Sequence, residues 1–196
     1  MTIDELKKYV STITEIKGDC VRIKVNEGYM LKLGDSYTDE LFCERSAIPD
    51  NLIVVPYSTY LIESNKEKYK GMTVEEAKEK LVAEITAYDK SDKVNGFMLN
   101  GLLVWLDKAT RVGLMNSTTI AKTAGQETTT LWLGDVKLIV GCDKAIQLLS
   151  ALEMYALECF NVTAAHKKAV SELKTIKEVE AFDVTADYPK QLEMKL

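Results

Sequence analysis

The chain has 196 residues, of which 46% are apolar, and 25 lysines and arginines against 30 aspartates and glutamates give a net charge of −5. Such a chain is typical of one or two folded domains and argues against global disorder. Mild acidity disfavours nucleic acid as a partner, and no stretch approaches the ~18 apolar residues of a membrane span. The start MTIDELKKYV lacks the regions of a signal peptide, so we expect a cytoplasmic protein.

The residues that commonly carry chemistry are few and dispersed. The chain has one histidine, His166, and four cysteines without a C-x-x-C pair: Cys20, Cys43, Cys142 and Cys159. A metal site would have to gather these residues from distant points of the chain, so we predict reduced thiols, no metal and no cofactor. The glycine-rich phosphate-binding motifs, the nucleophile-elbow motif and the zinc-protease motif are also missing from the sequence.

The first elements along the chain are predicted strands. Apolar and polar residues alternate on both sides of Asn26-Glu27-Gly28, which predicts a hairpin over residues 19–33. A third strand over 52–55 should end or lie at an edge, because Pro56 cannot donate to a ladder. Residues 58–68 have a weak periodicity that favours a short helix.

A capping box marks the next element. Thr73 and Glu76 can each satisfy a backbone N–H of the other, and apolar residues at helical spacing follow them. We therefore predict a helix over residues 74–90. The polar stretch 89–95 then breaks the pattern and is the predicted linker between two units.

Two hairpins and a helix are predicted after the linker. Asn100-Gly101 lies between two apolar runs over 97–104, as in a type I′ turn. Asp107 can cap a helix that runs to Ala124, with an i,i+4 ion pair to Arg111. A second hairpin over 131–140 turns at Gly134-Asp135.

The last large element is a helix of about 45 Å over residues 143–173, which contain neither proline nor glycine. Its apolar positions recur at alternating steps of three and four, which is a heptad seam with Thr163 and His166 as polar members. The seam consists of Leu149, Leu152, Ala156, Cys159, Thr163, His166, Val170 and Leu173. Its far end, at Val170 and Leu173, is predicted to meet either a second copy or the chain's own core.

These elements predict an α+β fold, with short β-hairpins packed on helices, one long C-terminal helix and a smaller N-terminal β-containing unit. The predicted division is a β-containing unit over 1–70, a helix and linker over 71–94, and an α+β domain over 95–196.

Aromatic side chains are the main candidates for a binding surface. Trp105 and Trp132 lie in or beside predicted hairpins, and Tyr155 lies on the long helix. If exposed together they would suit a sugar or a peptide, although such residues more often join a sheet to a helix. The predicted interaction surface comprises Trp105, Trp132, Tyr155, His166, Val170 and Leu173.

The second half of the chain resembles a known family. The strings GFMLNGLLVWLDKATRVGLM, TTLWLGDVKL, ALEMYALECFNVTAAHKKAVSEL and VEAFDVTADYP, over about residues 95–189, resemble a family of unknown function. Its members occur in phages and prophages, often among tail genes and next to or fused with tail-fibre assembly proteins. The resemblance implies no catalytic residues, and residues 1–70 lie outside it.

The sequence therefore favours a non-enzymatic protein of a phage or prophage tail. It would be an assembly factor for a tail fibre or a minor component of it, in the host cytoplasm or in the virion. The expected partner is a tail or fibre protein, with a homodimer through the long helix as a further expectation. Two alternatives stay open: a small-ligand or carbohydrate-binding module that uses the aromatic residues, and a hydrolase built around His166.

Overall fold

The computed structural model describes residues 6, 8–17 and 20–195. Their strands run in chain order as β1 Val10–Lys17, β2 Cys20–Val25, β3 Tyr29–Leu33, β4 Ser36–Thr38, β5 Glu40–Glu44, β6 Leu52–Pro56, β7 Phe97–Leu99, β8 Leu102–Val104, β9 Thr128–Leu133, β10 Val136–Gly141 and β11 Glu193–Met194. The helices are α1 Tyr57–Asn65, α2 Val74–Asp89, α3 Lys108–Thr123, α4 Cys142–Glu172 and α5 Ile176–Glu180, with a 3-10 turn at Arg45–Ala47.

The fold class is confirmed as α+β, with small sheets and one long helix near the C-terminus. The chain divides into two compact units, Met1–Ala77 with Lys174–Asp183, and Lys78–Leu173 with Val184–Leu196. These limits differ from the predicted ones, because the division falls inside α2 and because α5 belongs to the first unit. The bounds of 1–70, 71–94 and 95–196 come from the sequence pattern and stay a prediction.

The first unit contains two three-stranded antiparallel sheets, with strand orders β1-β2-β5 and β4-β3-β6. One apolar cluster combines Leu6, which precedes β1, with buried residues from both sheets: Val21, Ile23, Val25, Leu31 and Leu52. The predicted alternation along β2 is confirmed, since every second residue is buried. The predicted place of the third strand is also confirmed, because β6 lies at a sheet edge and ends at Pro56.

The predicted hairpin over residues 19–33 is wrong. Gly28 adopts the positive φ of +85° that the turn requires. However, β2 pairs with β1 and β5, whereas β3 pairs with β4 and β6. The turn alone does not decide strand pairing, which depends on partners elsewhere in the chain.

The second unit is built around α4. Buried residues from β7, β8, β9 and β10 and the loops beside them form one cluster with the first half of this helix: Val94, Phe97, Leu99, Val104, Leu106, Leu131, Leu133, Val140, Ala145, Leu148, Leu149, Leu152, Tyr155 and Cys159. Both predicted hairpins are confirmed. Asn100 and Gly101 have φ values of 50° and 82°, as a type I′ turn requires.

The helix limits agree closely with the predictions, because capping signals are local. Thr73 and Glu76 form the predicted capping box at the start of α2. The Asp107 side chain caps α3 by accepting a hydrogen bond from the Thr110 backbone N–H. The long helix α4 has 31 residues and ends one residue before the predicted limit. No described helix is long and apolar enough to cross a membrane.

Gly113 provides a test of local backbone energetics. It lies inside α3, where a Cβ would meet no atom within 4 Å. We expect Gly113→Ala to stabilise the protein by about 0.5–1 kcal/mol, since alanine loses less backbone entropy in a helix. Gly101→Ala should instead cost about 1 kcal/mol, because Gly101 has a φ of +82°. Urea unfolding measures both changes, and a loss of stability in Gly113→Ala would contradict the expectation.

Candidate functional site

The candidate site begins at the link between β8 and α3. Trp105 and Leu106 follow the strand, and Asp107 then starts the helix. The Asp107 carboxylate accepts hydrogen bonds from the Thr110 hydroxyl at 2.6 Å and from its backbone N–H at 2.9 Å. These hydrogen bonds, that of the hydroxyl first, hold the pKa of the Asp107 carboxyl below its usual range. Asp107 therefore serves as a helix cap, as predicted.

Arg111 lies one turn further along α3 and is 7% exposed. Its Nε donates to Glu153 Oε2 at 2.7 Å, and its Nη1 donates to the carbonyl oxygen of Leu106 at 2.7 Å. The guanidinium also stacks over the Trp105 ring, 5.1 Å from the centroid. The predicted ion pair of Arg111 with Asp107 is therefore wrong, because the structure pairs Arg111 with a carboxylate of α4 instead. The ion pair between Arg111 and Glu153 joins α3 to α4.

A cavity of about 470 Å³ opens where these groups meet, a size typical of ligand and side-chain pockets. Its lining comes from α3, α4 and the segments that precede α3: Asp89, Asn95, Trp105, Asp107, Lys108, Arg111, Glu153, Ala156, Leu157, Cys159 and Phe160. Apolar side chains supply most of its wall, while Asp89, Asp107, Arg111 and Glu153 are held in hydrogen bonds or an ion pair. The cavity therefore suits an apolar group with a polar neighbour.

Large apolar side chains stand at the edge of this cavity. Phe160 is 66% exposed and Leu157 is 49% exposed, although both line it. Met154, one turn before Leu157 on α4, is 57% exposed. Side chains of this size are usually buried, and neighbours exposed together mark a contact surface more often than scattered ones do.

A hydrogen-bond network reaches the cavity through Asp89, which lines it. The Thr163 hydroxyl donates to Asp89 Oδ1 at 2.7 Å and lies 2.7 Å from the Tyr188 hydroxyl. Burial raises the pKa of the nearby Cys159 thiol, and burial also raises that of Tyr188. Cys159 is therefore protonated near neutral pH, which makes it a poor nucleophile.

The six residues of the predicted interaction surface lie in different environments. Trp105 is half-buried in the cavity wall, whereas Trp132 is 57% exposed on β9 and lies outside the lining. Tyr155 donates to the carbonyl oxygen of Val94 from inside the core. The structure buries Tyr155, His166 and Val170 and leaves Leu173 partly buried at the end of α4. The two tryptophans therefore do not form one platform.

The remaining titratable residues do not form a recognisable reactive centre in the described part of the chain. His166 is 6% exposed and packs edge-on against Tyr188, with ring centroids 5.5 Å apart. Among the described residues, no group of three or more histidine, cysteine or acidic side chains could hold a metal ion. None of the four cysteines forms a disulfide within the described residues.

Sequence reasoning missed the residues that define the cavity. Glu153 is 42 positions from Arg111, so no local spacing indicates their contact. The exposure of Leu157 and Phe160 was also missed. The sequence contains a signal for this exposure. Met154, Leu157 and Phe160 recur every three residues, on a face of the helix distinct from the heptad seam.

Comparison with known proteins identifies a family. A family model described as a domain of unknown function, DUF4376, matches residues 76–186, which is more than half of the chain. The match covers the cavity and all of α3 and α4. No curated protein and no solved structure matches the chain.

Proposed function

This chain belongs to the DUF4376 family, and we propose that it is a non-enzymatic protein of a phage or prophage tail. In this proposal it is an assembly factor for a tail fibre or a minor component of the fibre. It binds a tail or fibre protein in the host cytoplasm, and a minor component would stay in the virion. The tail context is supported by the sequence resemblance over about residues 95–189.

The observation that carries a binding role is the cavity with exposed apolar side chains at its edge. Phe160 and Leu157 offer apolar area that a partner would remove from water, at about 25 cal/mol per Å². The cavity beside them can admit one large side chain of that partner. A central apolar anchor in a pocket is the usual source of affinity in protein interfaces.

A second candidate function is the binding of a small ligand or a carbohydrate in the same cavity. The observation in its favour is the Trp105 ring, which lines the cavity beside Arg111 and Glu153. Aromatic rings with neighbouring polar groups are common in small-molecule sites. Trp132 and Tyr155 do not line the cavity. Of the three predicted aromatic residues, Trp105 alone could contact a ligand there.

Filling the cavity tests the binding role. Ala156 lies in the cavity wall, so Ala156→Trp should occupy the space that a partner side chain needs. We expect a tagged chain to co-purify with a tail or fibre protein of the same phage, and Ala156→Trp to lose at least about tenfold in affinity, or ~1.4 kcal/mol. Ala165→Trp, at an exposed position of the same helix, is the matched control and should bind normally.

The outcomes separate the candidate functions. Retention of the fibre protein by Ala156→Trp at the original affinity would contradict docking at the cavity. Failure of the unmodified chain to bind any tail protein, together with saturable binding of a sugar that Trp105→Ala abolishes, would favour the second candidate. Mass spectrometry of purified virions then separates an assembly factor, which is left behind, from a minor component, which stays.

A further inference from the structure

The long helix α4 has a second heptad row, which lies on its exposed face. Its positions alternate in steps of four and three, like those of the buried seam. The row consists of Asp143, Gln147, Ser150, Met154, Leu157, Asn161, Ala164 and Lys168. All eight residues are exposed, so nothing in the described part of the chain covers this face.

We propose that this row is the interface of a homodimer in which the α4 helices of two copies pack antiparallel about a two-fold axis. The interface includes Leu157 and covers Phe160, so a second copy and a fibre protein would compete for the same apolar edge of the cavity. It also replaces the seam end at Val170 and Leu173 as the dimer contact, because Val170 is 1% exposed within its own chain. A two-fold axis is the commonest symmetry of soluble oligomers.

The row is complementary to itself in the antiparallel direction. The two-fold axis crosses α4 between Tyr155 and Ala156. Each residue of the row therefore faces the residue of the other copy that lies equally far from the axis on the opposite side. The pairs are Met154 with Leu157, Ser150 with Asn161, Gln147 with Ala164, and Asp143 with Lys168. Apolar side chains therefore meet in the centre, polar ones flank them, and opposite charges meet at both ends.

The charges decide the direction of the two helices. In a parallel pair, Asp143 would face Asp143 and Lys168 would face Lys168, and both contacts repel. In the antiparallel pair, each Lys168 approaches an Asp143 that is 76% exposed at its side chain and already receives a hydrogen bond from Lys122. Exposed pairs of this kind contribute little affinity, but they select the register and the orientation.

The antiparallel pair also explains the exposure of Phe160. Phe160 borders the row on the side that faces the cavity, as Glu153 does. In an antiparallel pair, the side of α4 that carries Glu153 and Phe160 meets the same side of the other copy's α4. Phe160 of each copy therefore lies beside the part of the other copy's cavity that Glu153 lines. Its 66% exposed ring is thereby covered, and the two cavities face the same side of the dimer.

Sedimentation of the full chain tests the interface. We expect a concentration-dependent equilibrium between monomer and dimer, because few apolar residues form the centre of the row. Met154→Glu should raise the dissociation constant at least about tenfold, which corresponds to ~1.4 kcal/mol. Ile120→Glu is the matched control, since Ile120 is a 68% exposed residue of α3 outside the row. Circular dichroism should show an intact fold in both variants.

Disulfide trapping tests the direction. In a Cys20→Ser background, chains that carry Gln147→Cys and chains that carry Ala164→Cys are mixed and oxidised. An antiparallel pair predicts cross-links between the two kinds of chain, whereas a parallel pair predicts cross-links within each kind. The background chain alone shows what the native cysteines contribute.

Cross-links within each kind of chain would overturn the antiparallel direction, and two further results would overturn the interface itself. One is a chain that sediments as a monomer throughout the accessible concentration range. The other is a dimer that Met154→Glu leaves unchanged, which would place the interface elsewhere. Fibre binding is measured separately, by co-purification and by the cavity variant Ala156→Trp, whose residue lies outside the row.

Discussion

Replacing Phe97 by alanine is expected to destabilise the second unit by about 3–5 kcal/mol. Phe97 is 0% exposed and lies in the cluster that joins the β7–β8 hairpin to α4. Removal of its ring deletes a large apolar contact and leaves a cavity, and the surrounding backbone cannot close because β7 is paired on both sides. Urea denaturation, monitored by circular dichroism, measures the loss.

Leu102 on the same hairpin gives the matched control. It is 56% exposed, so Leu102→Ala should change stability by less than about 0.5 kcal/mol. Equal losses for the two variants would contradict the inward orientation of Phe97. The comparison keeps the element and the chemistry similar and varies mainly burial.

Replacing Glu153 by leucine is expected to cost about 2–3 kcal/mol. The change leaves the Arg111 guanidinium, which is 7% exposed, without its carboxylate partner. Removal of one member of a buried pair commonly costs ~3–5 kcal/mol. We expect less, because the Glu153 side chain is 46% exposed and water in the cavity can reach Arg111. The same unfolding measurement applies.

A double variant separates the loss of the pair from other effects of the change. Arg111→Leu combined with Glu153→Leu removes both charges, so it should recover part of the stability that Glu153→Leu loses. Glu158→Leu, at an exposed position of α4, is the control and should be nearly neutral. Additive losses in the double variant would show that the two side chains do not depend on each other.

The pair also links stability to the candidate site. Arg111 contacts the Trp105 ring, the Leu106 carbonyl oxygen and the Glu153 carboxylate. Trp105 and Glu153 line the cavity, and Leu106 directly follows Trp105 in the chain. A variant that breaks the pair should therefore weaken binding as well as stability. The cavity-filling variant Ala156→Trp, by contrast, is aimed at binding and leaves the ion pair in place.

The sequence by itself determined the features that depend on neighbours along the chain. Asn100-Gly101 identified a turn because both residues tolerate positive φ, and Thr73 and Glu76 marked the start of α2 because a capping box spans four residues. Asp107 identified the start of α3 for the same reason. The uninterrupted periodicity of 143–173 predicted α4 within one residue at each end.

The sequence could not determine which strands pair. Alternation identified β2 and β3, but not that they enter different sheets, because the choice depends on partners distant in sequence. The strand β11 was missed for the same reason, since two residues have no pattern of their own and gain their conformation from parallel pairing with β7. Pairing free energy comes from the neighbour, so it is not encoded locally.

Only the tertiary structure decided which faces of the helices remain free. The apolar rows of α4 allowed either a core or an interface, and packing buried the seam that includes His166 and Val170 while leaving Met154 and Leu157 exposed. Packing of α3 against α4 also makes Glu153, and not Asp107, the ion-pair partner of Arg111. Burial depends on every element that surrounds a side chain, whereas periodicity reports only the element that carries it. The cavity and its exposed edge therefore follow from assembly of the fold.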